Sequence, residues 1–216
     1  MSSVNFNFSD IRIILSVQGY PLDYQYVVRE IGYWINGQSG SIPFNCKINV
    51  NQLDIKNHSV INKSVEEING IRLKKSTEGG LSLSDTKAVL RTLYHLNNNQ
   101  TAKFIGICGN DHINGLLHKA GLGCFVKDLN YLDVFKQNNV TLPTNEIIRT
   151  SLRQNFDKYK VCPLHDYFLK NNDFPLCAKV KAEFIANYCL SFPTRLPPNI
   201  SFQYQEILED IQTITK

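Results

Sequence analysis

The sequence predicts an α/β fold in which a mixed sheet is followed by a helix-rich C-terminal half. Two observations carry this prediction. The first third of the chain contains three successive stretches rich in β-branched and aromatic residues, joined by short turns, which is typical of an antiparallel meander. The middle of the chain then has a strand, a helix and a second strand in succession, and such a β-α-β unit brings a parallel strand pair into the sheet.

The predicted meander has three strands. The first is the apolar run 11–17, and the second is the aromatic and β-branched run 26–35. Asn36-Gly37 follows, and this dipeptide favours a tight hairpin because both central positions of a type I′ turn need a positive φ. We place the third strand at 42–50.

Helices are predicted on both sides of the β-α-β unit. Ser64 has the features of a helix N-cap, since Glu67 follows it three residues later as in a capping box. Ser84-Asp85 has the features of a second cap. The later elements are expected at 102–108 (strand), 112–120 (helix), 124–126 (strand), 144–156, 165–170 and 177–190 (helices).

The chain divides into one α/β domain over residues 1–190, a Pro-rich linker over 191–200 and a C-terminal arm over 201–216. The arm is predicted to be an amphipathic helix, which either packs on its own domain or is exchanged between molecules. Its apolar residues, the candidate assembly contacts, are Phe202, Tyr204, Ile207, Leu208, Ile211 and Ile214.

The composition limits the classes of partner. A net charge of +4 is well short of the dense Lys and Arg content of a dedicated nucleic-acid binder, which argues against a nucleic-acid partner. The N-terminus lacks the pattern of a signal peptide and no apolar run reaches the length of a membrane span, so we expect an intracellular protein, in the cytoplasm or nucleus, without a membrane partner. Abundant Asn, Ile and Lys indicate an AT-rich genome, for example that of an insect virus, an endosymbiont or a protist.

Three short stretches carry a family resemblance: Leu15-Ser16-Val17-Gln18-Gly19, the segment 104–112, and Leu176-Cys177-Ala178-Lys179-Val180-Lys181. In order and spacing they resemble the motifs of the DEDD-type 3′–5′ exonuclease domain, which has an RNase H-like fold. The resemblance is to divergent versions from arthropod genomes, viruses and mobile elements, and it covers roughly residues 10 to 190. It implies an RNase H-like mixed sheet.

The resemblance also implies that the acidic positions of the family are lost. Ser16 and Gln18 stand where the family has Asp-x-Glu, and His112, or alternatively Asp111, stands at the third acidic position. In the last motif the family's His and Asp are replaced, by Leu176 and Lys181 respectively.

These replacements bear on catalysis. Two-metal phosphodiester hydrolysis needs hard oxygen ligands around two divalent cations, and Ser, Gln and Lys cannot supply them. We therefore expect a non-enzyme without a cofactor. An active nuclease that uses Asp111, Asp128 or Asp133 is the alternative left open.

Six cysteines form no recognisable disulfide framework. We expect most of them to be buried thiols, and the candidates for a disulfide are Cys46, Cys124, Cys162 and Cys189. Cys162, His165, Cys177 and Cys189 would together offer four zinc-type ligands. They are not spaced as two metal-binding knuckles, however, so we expect no metal.

Two further motifs have simpler interpretations. Cys108 with His112 or His118 is the pairing of a cysteine nucleophile and its base, but no orienting acid follows and Cys108 ends an apolar strand. Gly106-x-x-Gly109 lacks the rest of a nucleotide-binding fingerprint and predicts a tight turn.

The absent catalytic set, the tethered arm and the AT-rich codon signature together favour a structural, self-assembling protein. Its most specific form is an insect-virus occlusion-body protein, similar to polyhedrin, whose partners are copies of itself and virion components. The alternative is an inactivated exonuclease-like module that binds nucleic acid or a protein partner.

Overall fold

The computed structural model describes nine stretches of the chain, to which the structural statements below apply: 6–22, 25–44, 55–71, 80–96, 102–108, 111–155, 160–163, 165 and 174–192. The strands are β1 (Ile11–Leu22), β2 (Gln25–Ile35), β3 (Gln38–Pro43), β4 (Phe104–Ile107) and β5 (Val126–Asp128). The helices are α1 (Ile55–Ser64), α2 (Leu83–Leu96), α3 (Asn114–Lys119), α4 (Asp133–Asn138), α5 (Asn145–Gln154) and α6 (Ala178–Ser191). Short 3₁₀ turns lie at Phe8–Asp10, Asp111–Ile113, Gly123–Phe125 and Leu129–Tyr131.

The five described strands form one mixed sheet in the order β3-β2-β1-β4-β5. β1 pairs antiparallel with β2, and β2 pairs antiparallel with β3. On its other side β1 pairs parallel with β4, which pairs parallel with β5. The predicted α/β class, with an antiparallel meander joined to a β-α-β unit in one mixed sheet, is confirmed.

The hairpin between β2 and β3 determines where the third strand begins. Asn36 and Gly37 both have positive φ, 49° and 83°, as a two-residue type I′ turn requires. Because such a turn reverses the chain at once, Ile35 pairs with Gln38 and β3 starts there. The predicted start at residue 42 was therefore wrong, and residues 45–50 of that prediction lie outside the described part of the chain.

Side chains on β1 alternate between two apolar clusters on the two faces of the sheet. Ile13, Leu15 and Val17 pack in the cluster that includes residues of α2 and α3. Ile14 packs in the cluster that includes residues of α4, α5 and α6. Ser16 and Gln18 follow at the same alternation as Ile14, so both point toward the α6 face of the sheet, and both are buried.

The N-terminal end of α6 lies very close to strand β2 of the sheet. A Cβ at Gly32 of β2 would come within 2.0 Å of the carbonyl group of Ala178, so only glycine allows this approach. Most residues of α6 are buried, from Ala178 to Ser191. The start of α6 is thereby fixed against β2, and this contact positions the site described below.

Two predicted helix starts were wrong. Ser64 is not an N-cap but the last residue of α1, which continues as one π-helical turn, Val65–Asn69, and ends at Gly70 with φ 66°. The cap of α2 is Ser82 rather than Ser84, since Ser82 Oγ accepts the backbone N–H of Asp85 and donates to its carboxylate. At α2 the two nearby serines made the local pattern ambiguous, whereas at Ser64 the helix simply continues through the serine.

The remaining elements agree in type but differ in their bounds. The predicted strand 102–108 is shorter, and the predicted helix 112–120 begins as a 3₁₀ turn before α3. The predicted strand 124–126 is a 3₁₀ turn followed by β5. Predicted helices 144–156 and 177–190 correspond to α5 and α6. Among the described helices, none is both long and apolar enough to cross a bilayer.

Several predictions fall on undescribed residues. The predicted helix 165–170 is described only at His165. Residues 193–216, which include most of the predicted linker and the whole arm, lie outside the described part of the chain.

Candidate metal centre

Four buried polar side chains from three separate segments meet beside the start of α6. Glu30 comes from β2, Cys162 and His165 come from the segment that precedes α6, and Cys177 immediately precedes α6 itself. One potential ligand atom from each residue lies within 4.8 Å of all the others. We call these four residues the Glu30 cluster.

Glu30 is a carboxylate in the interior of the protein. It shares the face of β2 with Gly32 and Trp34, by the alternation of the strand, and it is 0% exposed. The backbone N–H of Ala178, the first residue of α6, donates to Glu30 Oε2 at 2.8 Å. The close approach of α6 over Gly32 makes this hydrogen bond possible, and the bond fixes the direction of the carboxylate.

The two cysteines flank the other oxygen of this carboxylate. Sγ of Cys162 lies 3.0 Å from Glu30 Oε1, and Sγ of Cys177 lies 3.3 Å from the same atom. The backbone N–H of Cys162 also points to Sγ of Cys177, at 3.5 Å. Three acidic groups thus converge on one small volume.

His165 joins the cluster through one ring nitrogen and is oriented through the other. Nε2 lies 2.8 Å from Glu30 Oε2. Nδ1 is hydrogen-bonded to the backbone carbonyl of Asn69, and since a carbonyl only accepts, Nδ1 carries the donated proton. Nε2 is therefore the nitrogen that faces the three acidic groups.

Asn69 is itself held rigidly at the end of the π-helical turn. Its side-chain amide donates to the carbonyl of Gly19 at 2.9 Å, and its Oδ1 accepts the N–H of Ile71 at 2.9 Å. Asn69 is 0% exposed. A fixed outer hydrogen-bond partner of this kind determines which histidine nitrogen is presented to the site.

The protonation of the Glu30 cluster follows from burial and from these contacts. Burial alone would raise the pKa of Glu30, but hydrogen bonds and the charge of His165 hold it below its usual value. Burial would lower the pKa of His165, but Cys162 and Glu30 raise it to about 10. The hydrogen bond from Cys177 lowers the pKa of Cys162 to about 6, and burial raises that of Cys177 well above its usual value.

Thiol catalysis is a poor fit to this arrangement. A cysteine nucleophile with a histidine and a carboxylate would need an opening through which the substrate reaches sulfur. Cys162 is 5% exposed, Cys177 0% and His165 5%. A pair of thiols, an imidazole and a carboxylate, all buried, is instead the kind of ligand set that can enclose a transition-metal ion.

The positions that correspond to the exonuclease motifs are brought together only in part. Ser16 and Gln18 lie on β1 under α6, and Lys181 lies in the second turn of α6, where burial lowers its pKa. Leu176 is fully buried just before the helix.

His112 lies elsewhere. It is exposed and stacks on Tyr26 with ring centroids 4.1 Å apart. Tyr26 packs against the cluster on the opposite face from α6, so the 3₁₀ turn that carries His112 directs it away from Ser16, Gln18 and Lys181.

The carboxylates considered for an active nuclease do not form a site in the described chain. Asp128 Oδ1 accepts hydrogen bonds from the backbone and side-chain amides of Asn130 and caps a 3₁₀ turn. Asp133 begins α4, and the side chain of Asp111 is not described. Among the described residues, the Glu30 cluster is the one group of three or more metal-type ligands within ligand distance of one another.

Three further described cysteines, Cys108, Cys124 and Cys189, do not belong to the Glu30 cluster. Burial raises the pKa of Cys108 to about 12, which is the opposite of the activation a nucleophile needs. Cys124 is exposed, whereas Cys162 and Cys189 are buried, and none of the three is in a disulfide. Cys46 lies outside the described residues. The zinc-type set considered from sequence had Cys189 as its fourth ligand. In the structure Glu30 is the fourth member of the cluster, and Cys189 packs in the hydrophobic core instead.

No protein-family model matches the chain, and no curated protein matches its sequence.

Proposed function

We propose that the chain is a non-catalytic structural module with an RNase H-like sheet, and that it assembles with copies of itself. The observation that carries the non-catalytic part of the proposal is the set of side chains beneath α6. The positions where the exonuclease resemblance requires metal-binding carboxylates hold Ser16, Gln18 and Lys181.

The mixed sheet supports the RNase H-like part of the proposal. The resemblance implies an RNase H-like mixed sheet with the last motif on a helix, and the sequence pattern predicts an antiparallel meander joined to a β-α-β unit. The β3-β2-β1-β4-β5 order, the parallel pairing of β1 with β4, and α6 lying over the face that carries Ser16 are consistent with it.

Electrostatics support the non-catalytic part. A divalent cation needs anionic oxygen ligands, and Lys181 would add a positive charge at this place. Burial already lowers the pKa of Lys181, and a neighbouring metal ion would disfavour its charged form further. Incubation of the protein with labelled single-stranded DNA and Mg²⁺ or Mn²⁺ tests this part, and cleavage above that of a mock purification would overturn it.

Self-assembly rests on the amphipathic pattern of residues 201–216 after a Pro-rich linker. An apolar helix joined to its domain by a tether can pack on a neighbouring molecule instead of on its own domain. Such an exchange is a common route to dimers and lattices. In the most specific form of the proposal, the assembly is an insect-virus occlusion body that incorporates virion components.

A matched pair of arm variants tests assembly in the full-length chain. Ile211→Asp adds a charge to the apolar side of the arm, and Thr213→Asp adds the same charge to the polar side. Sedimentation should show an assembly that Ile211→Asp dissociates and Thr213→Asp preserves. A monomeric parent chain, or equal behaviour of the two variants, would overturn the proposal.

Nucleic-acid binding is the alternative outcome for a non-catalytic module. It is measured by filter binding across a salt series, because a real phosphate interface weakens steeply with salt. Tight, salt-sensitive binding by a monomer would replace self-assembly with the function of an inactivated exonuclease-like binding module.

A further inference from the structure

We propose that Glu30, Cys162, His165 and Cys177 bind one Zn²⁺ ion as a closed structural site. This inference does not depend on the proposed self-assembly, because it rests on the Glu30 cluster and not on the arm. It also departs from the expectation drawn from ligand spacing, which disfavoured a metal.

The ligand types select the metal. Two cysteine thiolates are soft ligands that Mg²⁺ and Ca²⁺ do not favour. Iron–sulfur clusters are generally held by four cysteines, whereas this cluster offers two. A mixed set of two sulfurs, one imidazole nitrogen and one carboxylate oxygen fits tetrahedral Zn²⁺, which accepts all three ligand types.

The distances are those of four atoms that can surround one small ion. In a tetrahedral zinc site, neighbouring ligand atoms are about 3 to 4 Å apart, as follows from bond lengths of about 2.0 to 2.3 Å. His165 Nε2 lies 2.8 Å from Glu30 Oε2, whereas Cys162 Sγ and Cys177 Sγ lie 3.0 and 3.3 Å from Glu30 Oε1. One ligand atom from each of the four residues lies within 4.8 Å of the other three. Small movements of these atoms would therefore admit the ion.

The outer hydrogen bonds are those expected around a zinc site. A zinc-bound histidine usually donates its other ring N–H to a carbonyl or carboxylate, and a zinc-bound carboxylate is itself hydrogen-bonded. His165 Nδ1 bonds the carbonyl of Asn69, and the N–H of Ala178 bonds Glu30 Oε2. Both side chains are thus held by hydrogen bonds from groups outside the ligand set.

The convergence of three acidic groups is the strongest argument for a cation. In the interior, a carboxylate and two thiols can stay close together only if protons or a cation offset their charge. Binding of Zn²⁺ displaces the remaining thiol and imidazole protons to the solvent and leaves two thiolates, one carboxylate and a neutral imidazole around the ion. The ligand set is then complete, with no position left for a substrate, which indicates a structural role.

The site also explains how the chain between α5 and α6 is held. The described residues 160–163, 165 and 174–177 of this stretch belong to no helix or strand. Zinc would join Cys162 and His165 to Cys177 and anchor all three to Glu30 in the sheet. The ion would therefore fix these described residues, which no helix or strand holds in place.

The first test is the metal content of the full-length chain. The protein is expressed with supplemented zinc and reductant, gel-filtered, and analysed by inductively coupled plasma mass spectrometry. We expect about one zinc per chain, retained in the matched cysteine control Cys189→Ala and lost in Cys177→Ser and Glu30→Gln. Zinc far below one equivalent in the parent chain, iron or copper in its place, or equal retention in all variants would overturn the proposal.

A second test covers the case in which ligand variants fail to fold. The metal-free parent chain is titrated with Co²⁺, which reports tetrahedral thiolate coordination by intense visible bands and near-ultraviolet charge-transfer bands. Saturation at one equivalent, followed by bleaching on addition of Zn²⁺, supports the site. Weak octahedral spectra, or no saturation, would overturn it without any substitution, and neither result bears on the assembly measured with Ile211→Asp.

Discussion

Glu30 and His165 are 135 residues apart in the chain, yet His165 Nε2 lies 2.8 Å from Glu30 Oε2 and both side chains are fully buried. Each is also held from outside the pair, by Ala178 and by Asn69 respectively. Transferring such a pair from water to the protein interior is unfavourable in free energy. Removing one partner also destabilises the fold, because the other charge is left buried and unpaired. Two thiols also lie within 3.3 Å of Glu30 Oε1, so the pair belongs to a set of four potential metal ligands and is not an isolated buried ion pair.

Glu30→Gln should destabilise the fold, because the substitution keeps the size of the side chain and removes the charge that His165 and the ion require. Leaving a buried partner unpaired costs about 3–5 kcal/mol, which urea unfolding in the presence of zinc would measure. Glu183→Gln is the control: Glu183 lies in α6 and accepts a hydrogen bond from Ser39 Oγ at 2.7 Å. Because glutamine still offers Ser39 an acceptor oxygen, this substitution should cost at most about 1 kcal/mol. Similar losses in the two variants would contradict the role assigned to Glu30.

Metal removal should lower the melting temperature of the parent chain. Loss of a structural ion costs several kcal/mol, and each kcal/mol shifts Tm by about 2–4 °C at this chain length, so a decrease of about 10 °C or more is expected. The measurement is a thermal melt in reductant with and without a strong chelator. Cys177→Ser should melt low in both conditions. A parent chain whose melting temperature ignores the chelator would speak against a stabilising ion.

Zinc affinity should rise with pH. The pKa of His165 is about 10 and that of Cys177 is well above its usual value, so both groups are protonated near pH 7. The pKa of Cys162 is about 6 and that of Glu30 is below its usual value, so these two groups are mostly ionised. Zinc must displace one proton from His165 and one from Cys177, so about two protons leave per ion. The affinity for zinc should therefore rise about a hundredfold per pH unit near pH 7. Below pH 6 Cys162 takes up a proton as well, which steepens the loss in acid. Calorimetry in buffers of different ionisation enthalpy measures this proton release. Zinc binding without any release of protons would contradict the assigned protonation.

Gly32→Ala should separate α6 from the sheet. The new Cβ would lie within 2.0 Å of the carbonyl group of Ala178, and such overpacking costs about 1–3 kcal/mol, occasionally more. Because the N–H of Ala178 orients Glu30, zinc affinity should fall as well. Gly115 in α3 has nothing within 4 Å of its Cβ position, so Gly115→Ala is the control and should stabilise by about 0.5–1 kcal/mol. An undiminished stability of Gly32→Ala would show that this close contact is misplaced.

The meander could be predicted because its information is local. The run 26–35 is a strand in the structure, as its β-branched and aromatic residues indicate, and Asn36-Gly37 forms the expected turn. The start of β3 was missed although the turn encodes it, since a two-residue loop requires pairing to resume immediately at Gln38. Ser64 was misread because a serine followed by Glu67 is equally compatible with the interior of a helix that continues.

The Glu30 cluster could be predicted only in part because its contacts are long-range. Cys162, His165 and Cys177 are recognisable as zinc-type ligands from their chemistry, but no local pattern pairs them with a strand residue 132 positions before Cys162. One signal was present in the sequence. Glu30 stands inside the predicted strand 26–35, next to Arg29 and Ile31, and a carboxylate in such a largely apolar strand needs a buried partner.

X-ray absorption at the zinc K-edge of the full-length chain tests the zinc site most directly, because it counts the ligand atoms around the ion without any substitution. We predict two sulfurs at about 2.3 Å and two lighter ligands, nitrogen or oxygen, at about 2.0–2.2 Å. A shell made only of nitrogen and oxygen, or one of three or four sulfurs, would contradict the assignment of Glu30, Cys162, His165 and Cys177 as the site.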